Sequence, residues 1–390
     1  MKVALLTEIP APFRTPLFNA LAAKDGVELE VLFLSDTDPR RLHYRPAPDA
    51  ARFRWSVLRG RQIHRGGRWI VVSRGVVRRL LRTRPDVIVV GGWNQPAYWL
   101  AAAAARILRI PLVLWVESTA RDARSESPLL ERAKRAMIRR AAGFIVPGDA
   151  SSVYLQSFGV DPAQIATAGN AIDLASFRER LAAARRERTE GDAPDAGAPQ
   201  ACTVLSVGRL DPEKGFDVLL AAARMLLERQ APIAFVIVGD GSQSAQLRAT
   251  APANVSFVGA VDQTSVIEWY ARADVFVLAS LSEQWGMVLN EAAAAGLPIV
   301  ATEAAGGAWE LIEDGTNGFR IPSGDAERLA DALTKLVVDK TFREEAGRQS
   351  EQIGLRHTPE VWADSVTEFL TSTANRSQPN AAIGPSRLRR

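Results

Sequence analysis

Two charged segments of the chain carry the residue types needed to hold and release an anionic leaving group. The first is Ser206-Val207-Gly208-Arg209-Leu210-Asp211-Pro212-Glu213-Lys214-Gly215, placed between an apolar strand pattern and a helical one. A glycine at a strand end, Gly208, lets backbone approach a ligand closely. Arg209 and Lys214 set two cations beside a helix N-terminus, a combination that suits a diphosphate. The same residues would also make a capped turn with surface charges. The second segment is Ser282-Glu283-Gln284-Trp285-Gly286-Met287-Val288-Leu289-Asn290-Glu291-Ala292. Glu283 falls in a loop and Glu291 early on a helix. Carboxylates at both places can accept hydrogen bonds from sugar or ribose hydroxyls. The backbone amides around Met287, Val288 and Leu289, after Gly286, would point at a phosphate. A helix dipole favours an early acid such as Glu291, but does not account for the whole arrangement.

These segments need a scaffold, and the alternation of short apolar runs with helical patterns supplies one. In the first half, strands are expected at Val3–Leu6, Leu29–Leu34, Val87–Val90, Leu112–Val116 and Phe144–Val146. Helices are expected at Pro16–Ala23, Trp69–Leu81, Pro96–Leu108, Leu129–Ala141 and Ala150–Phe158. Residues 182–200, rich in Ala, Gly, Pro and charge, read as a linker or disordered insertion. A second alternating series has strands at Thr203–Val207, Phe235–Val238, Val255–Val258, Val275–Leu278 and Ile299–Ala301. A helical pair follows at Asp325–Val338 and Thr341–Gly354. The expected organisation is therefore α/β: two Rossmann-like, doubly wound domains at 1–181 and 201–356. A helix at 357–371 carries an apolar stripe of Val361, Trp362, Val366, Phe369 and Leu370 that must be buried somewhere. The basic tail, 372–390, is expected to be disordered.

Composition narrows the functional classes. With 47% hydrophobic and 24% charged residues among 390, the chain is globular in character. A single cysteine, Cys202, excludes an internal disulfide framework, and His43, His64 and His357 lack metal-site spacing. No metal and no cofactor are expected. The most apolar stretch, Pro96–Val116, is interrupted by Arg106 and Arg109, short of a membrane span. The start, with Lys2 and few apolar residues before Glu8, does not resemble a signal peptide. A cytoplasmic location is expected, including a peripheral one at the inner face of the plasma membrane. Charge is uneven: residues 1–180 hold 28 Lys and Arg against 16 Asp and Glu, and the remainder is acidic. Such a split marks either an arginine-rich solvated surface or a half that meets an anionic partner. The helix Leu129–Ala141 adds a basic side, Arg132, Arg135 and Arg139, which belongs either to an ordinary surface helix or to one that rests on anionic membranes. Gly91-Gly92-Trp93-Asn94-Gln95-Pro96 closes another strand, where Trp93 is either a stacking face for an acceptor sugar or a core residue.

Taken together, Gly208-Arg209-Leu210…Glu213-Lys214-Gly215 and Glu283-x7-Glu291 resemble the retaining nucleotide-sugar glycosyltransferases of family 4, which have the GT-B fold. Val238-Gly239-Asp240-Gly241 resembles the family's turn after the second donor-domain strand. Val258-Gly259 resembles its base-pocket strand, with Val261 just beyond. Asp314-Gly315-Thr316-Asn317-Gly318-Phe319 resembles its "DGxNGF" hairpin, and Gly169-Asn170-Ala171-Ile172-Asp173…Phe177 its "NGVDxxxF" segment. The resemblance is strong after residue 165 and weaker before it.

The resemblance implies that Arg209 and Lys214 neutralise the departing diphosphate and that Glu291 holds the ribose. It also implies that Glu283 contacts the transferred sugar, with Gly208, Gly241, Val261 and Gly286–Leu289 around the donor. It further implies two domains facing a central cleft, the last helix crossing back to the first domain, and transfer without a metal. Two departures stand out. Where many members have a histidine, this chain has Trp115-Val116-Glu117-Ser118, so Glu117 either takes part of that role or caps the loop. Where many have a glycine-rich loop, it has Ile9-Pro10-Ala11-Pro12-Phe13-Arg14, and Arg14 either meets an acceptor phosphate or the donor diphosphate or is a surface residue in a rigid loop, the first being the expectation. The expected partners are a nucleotide sugar, a glycan or lipid-linked acceptor and an anionic membrane surface, with no nucleic acid. A sugar-nucleotide epimerase of the same architecture and a non-catalytic nucleotide-sugar sensor remain as alternatives. A nicotinamide oxidoreductase is disfavoured, because no GxGxxG follows either first strand.

Overall fold

The computed structural model describes residues 1–37, 50–65, 68–120, 128–191, 201–262 and 264–377. Its strands are β1 (Lys2–Thr7), β2 (Glu28–Phe33), β3 (Arg54–Val57), β4 (Gly60–Arg65), β5 (Arg68–Ser73), β6 (Val87–Val90), β7 (Leu112–Trp115), β8 (Gly143–Val146) and β9 (Ile165–Thr167). The second half adds β10 (Cys202–Val207), β11 (Ile233–Val238), β12 (Val255–Gly259), β13 (Val275–Leu278), β14 (Ile299–Thr302) and β15 (Gly318–Ile321). The first sheet runs β3-β2-β1-β6-β7-β8-β9 and the second β12-β11-β10-β13-β14-β15, all pairs parallel. Every residue of β6, β7, β8, β13 and β14 is buried. Unbroken apolar runs of this kind belong to parallel strands covered on both faces. In each sheet the winding reverses beside the first strand, between β1 and β6 and between β10 and β13. Open α/β sheets bind ligands beyond the carboxyl ends of the strands at such reversals.

The last helix, Pro359–Ser377, returns to the first domain. Trp362 is 1% exposed and packs 5.3 Å from Trp115 and 6.5 Å from Phe18, ring centre to ring centre. Ala363, Val366 and Leu370 join the same core with Val3 and Leu5, and Phe369 packs at its margin. Val361, expected in that stripe, points outward at 47% exposure.

Other expectations are corrected. The segment expected as a helix over Trp69–Leu81 is strand β5 followed by a helix at Val76–Thr83. The Trp69-Ile70-Val71-Val72 run is β-branched and alternates inward and outward, with Val71 1% and Val72 42% exposed. It pairs antiparallel with β4, and Gly75 at φ +90° separates it from the helix. The expected linker begins as helix, because Leu174–Gly191 is continuous and its Ala, Arg and Glu are strong helix formers. Phe177 and Leu181 of that helix are buried in the second domain's core, so residues 174–181 sit on the second domain rather than the first. Residues 192–200 lie outside the described residues. The tail expected to be disordered is helical through Ser377, and 378–390 lie outside the described residues. Asp314–Phe319 is a tight turn into the parallel edge strand β15 rather than a hairpin; a side chain at Gly318 would overlap the Ile299 carbonyl.

Candidate active site

The second sheet's reversal is built from loops pressed together by glycine. Gly239 has φ +146°, and a Cβ there would stand 1.8 Å from the Gly208 carbonyl oxygen. A Cβ on Gly241 would lie 2.6 Å from the Leu210 backbone. The loops after β10 and β11 therefore share one layer. Arg209 leaves this layer toward solvent, its side chain 56% exposed, and pairs with Asp211 and, at 2.8 Å, with Glu213. Asp211 also accepts from Ser242 N–H and hydroxyl, and the Ser242 backbone bond is the main reason its pKa is lowered.

Lys214 closes the turn Pro212–Lys214 and forms an ion pair with Glu283. Both side chains are more than four-fifths buried. Backbone bonds align the two loops: Leu281 and Ser282 N–H donate to the Glu213 carbonyl at 2.9 and 3.2 Å. Glu283 is fixed on its other side, since Gly306 N–H donates to its carbonyl at 3.1 Å. Gly286, at φ +89°, starts the helix Met287–Ala294. The opening amides of a helix have no intrahelical acceptor, and those of Met287 and Val288 open this one. Leu289 does not belong with them: its N–H donates to the Gly286 carbonyl at 2.9 Å and its side chain is fully buried.

Glu291 accepts a 2.8 Å bond from the Tyr270 hydroxyl. Burial pushes its carboxyl up to about 7, with the Tyr270 bond acting in the opposite direction. Val261, just past β12, is half-buried against the second core.

The first sheet's reversal carries a polar cavity of about 260 Å³. Arg14 donates to Thr7 Oγ1 at 2.6 Å and to Glu117 Oε1 at 3.1 Å, and its guanidinium lies 4.7 Å from the Trp115 ring centre. Glu117 therefore anchors Arg14 as well as lining the cavity. Trp93 lines it too, half-buried against the first core, with its carbonyl accepting from Trp99 Nε1 at 3.0 Å. Gln284, from the second domain, completes the wall. That residue follows Glu283, so the two reversals face one cleft.

Sequence reasoning missed Glu8 and Tyr98 in this cavity. Glu8 follows β1, and its Oε1 accepts from Asn94 Nδ2 at 2.7 Å and Gln95 Nε2 at 2.9 Å. Its position directly after the first strand of a doubly wound sheet was the available signal. The Tyr98 hydroxyl is buried without a partner among the described residues, and burial, then the Glu8 carboxylate, hold its pKa well above the usual value. No signal in an alanine-rich helix marked it.

The expected basic amphipathic helix spans Pro128–Ile138. Arg132, Arg135 and Arg139 are exposed, but Met137 is buried in the core; Leu129 and Leu130 remain exposed at 73% and 43%. Among the described residues, no helix is long and apolar enough to cross a membrane.

Two doubly wound domains whose ligand-binding edges face one cleft define the GT-B architecture. The family model described as "Glycosyl transferase 4-like domain" matches residues 14–171, and "Glycosyl transferases group 1" matches 196–353. The chain is 34% identical over 201 residues to D-inositol 3-phosphate glycosyltransferase 2 of Catenulispora acidiphila, covering 48% of this chain and 45% of that one. It is 28% identical over 278 residues to D-inositol 3-phosphate glycosyltransferase of Kribbella flavida, covering 64% of each. The chain thus matches about half to two-thirds of these relatives' length. Anabaena HepE, solved in complex with UDP, shares the fold at a TM-score of 0.70 and 21% identity, over 95% of this chain and 100% of that one. The chain belongs to the GT-B glycosyltransferases of the family 4 type.

Proposed function

We propose that this protein is a retaining glycosyltransferase that moves a sugar from a nucleotide-sugar donor to a hydroxyl of a glycan, lipid-linked or polysaccharide-precursor acceptor. The observation that carries this reading is the Lys214–Glu283 pair beside the open end of the helix Met287–Ala294, facing across Gln284 a polar cavity in the other domain. A cation and a helix N-terminus at one point favour the charge that develops on a departing diphosphate. Arg209 is the second cation, released from Asp211 and Glu213 when a stronger anion arrives. Glu291 holds the ribose hydroxyls and Glu283 the transferred sugar, once Lys214 turns to phosphate. Arg14, Glu117 and Trp93 stand on the acceptor side. With two cations and backbone amides at the leaving group, transfer proceeds without a metal. The protein works in the cytoplasm, with the basic first domain against the inner face of the membrane.

A thermal-shift screen across UDP-, GDP-, ADP- and TDP-sugars tests the donor side. A ligand at 100 times its dissociation constant stabilises a protein by about 2.7 kcal/mol, a readable shift. UDP comes first in that screen, because HepE was solved with it. Activity that survives EDTA and a product with the donor's anomeric configuration by NMR are the expected results. Product formed from donor alone would favour an epimerase, and binding with no turnover a sensor.

A further inference from the structure

The first-domain cavity has a distinct chemical character. Among the described residues, its charged lining is Glu8, Arg14 and Glu117, two carboxylates and one guanidinium. The guanidinium is already matched, because Arg14 donates to Glu117 and rests on Trp115. Among the described residues Glu8 is matched by no cation: its Oε1 accepts from two side-chain amides, and its Oε2 has no partner. Among the described residues, three side-chain polar atoms from the cavity's lining are buried and unpartnered: Arg14 Nε, Tyr98 hydroxyl and Trp115 Nε1. Tyr98 is fully buried, and Gly91 leaves room above its hydroxyl, where a Cβ would stand at 3.1 Å. Buried polar groups are normally paired, and an unpaired set is costly unless something completes it.

What completes this set must offer both acceptors and donors, and must not bring negative charge. Among the described residues, the lining carries two carboxylates against one cation, already engaged, so a phosphate would enter against net negative charge. Like charge at close range rejects such a partner. The hydroxyls of a sugar ring donate to the free Glu8 oxygen and accept from Tyr98, and Trp93 lines the same space. Resting on the glycosyltransferase reading above, we propose that this cavity is an acceptor site for an uncharged, polyhydroxylated ring, selected and positioned by Glu8 and Tyr98, and that it excludes a phosphorylated ring. This replaces the expectation that Arg14 meets an acceptor phosphate. Any phosphate of a lipid-linked acceptor lies outside this cavity.

The test uses the full chain with UDP present, at fixed ionic strength. Methyl glycosides of glucose, galactose, mannose and N-acetylglucosamine are titrated by saturation-transfer NMR, beside glucose, galactose and mannose 6-phosphates. At least one neutral glycoside binds saturably, and for glucose, galactose or mannose the 6-phosphate binds at least about tenfold more weakly, as expected of a site built for hydroxyls. Glu8→Gln weakens the neutral ring at least about tenfold. Tyr98→Phe weakens it about fivefold, the effect of one lost hydrogen bond. Circular dichroism and melting curves verify that both variants are folded. The proposal is overturned by a 6-phosphate that binds as well as its neutral ring, by no saturable binding of any neutral ring, or by binding that neither substitution weakens. Thermal shifts with UDP, GDP, ADP and TDP are recorded in parallel and report on the second domain. Nucleotide stabilisation without ring binding sinks the acceptor proposal alone, whereas no response to any nucleotide sinks the donor reading.

Discussion

The Tyr270 hydroxyl, fully buried, donates a 2.8 Å hydrogen bond to Oε2 of Glu291, a carboxyl that burial pushes up to about 7. The bond favours the ionised form and burial the neutral one, and burial prevails. Glu291 therefore titrates near neutrality. An ionised carboxylate accepts hydrogen bonds from ribose better than a neutral one. Nucleotide affinity should rise with pH through about 7 and lose that dependence in Glu291→Gln. In Tyr270→Phe the midpoint should move upward, by less than about one unit for one hydrogen bond. Calorimetric titration with UDP from pH 5.5 to 8.5 reads all three. Glu291 also lowers stability as pH rises from the ordinary carboxylate range to about 7, because the unfolded chain loses a proton that the folded chain keeps.

Substitution at the proposed leaving-group site should affect turnover more than fold. Lys214→Ala and Arg209→Ala should each lower the rate of nucleotide release in the presence of acceptor by about 10²–10³, the usual cost of removing one preorganised electrostatic group. Steady-state kinetics on folded variants decides this. Rates within a few-fold of the parent for both would remove the diphosphate from this position.

Glu283 and Glu291 should separate by readout. Glu283 faces Lys214 in the loop, whereas Glu291 sits on the helix against Tyr270. Calorimetry with free nucleotide should show a loss of affinity for Glu291→Ala and little change for Glu283→Ala, which instead loses sugar transfer. The opposite pattern would exchange their roles.

Two glycines give a stability contrast. Gly239→Ala drives a Cβ into the Gly208 carbonyl, while Gly324, at φ +81°, has nothing within 4 Å of a Cβ. Overpacking at the first should cost about 3 kcal/mol or more, and left-handed strain at the second about 1–2 kcal/mol. Thermal melting should show a drop of roughly 6 °C or more for Gly239→Ala and a smaller one for Gly324→Ala.

The basic first domain should bind anionic vesicles. Arg132, Arg135 and Arg139 are exposed beside Leu129 and Leu130. Each basic residue near an anionic leaflet contributes about 1 kcal/mol, and salt screens the attraction over about 10 Å at 0.1 M. Co-sedimentation should require anionic lipid, weaken with salt and fall when the three arginines become glutamine. Protein that stays in the supernatant at low salt would make the charge split a matter of composition.

The two sheets were legible because buried parallel strands write themselves as unbroken apolar runs, as Val87–Val90 and Val275–Leu278 do. The hairpin was not, since Trp69–Val72 has too few residues to distinguish a period of two from a helical face. Lys214 and Glu283 were legible as types, and only their pairing awaited the fold. Leu289 was misplaced because an amide's partner cannot be read from sequence. Tyr98 was hidden for a related reason: whether a buried hydroxyl is satisfied depends on three loops remote in sequence.

Gln95 is almost wholly buried between the β4–β5 hairpin and the cavity. Its Oε1 accepts from Val71 N–H at 2.9 Å, and its Nε2 donates to Glu8 and to the Trp69 carbonyl. The hairpin's outer face is otherwise free of the cleft, with Ile63 and Val72 exposed. One amide therefore couples the hairpin to Glu8, the carboxylate proposed to meet the acceptor. Mutations drifting through that hairpin can retune which sugar is accepted without altering any residue that touches it, giving evolution a way to change substrate while the donor machinery stays fixed.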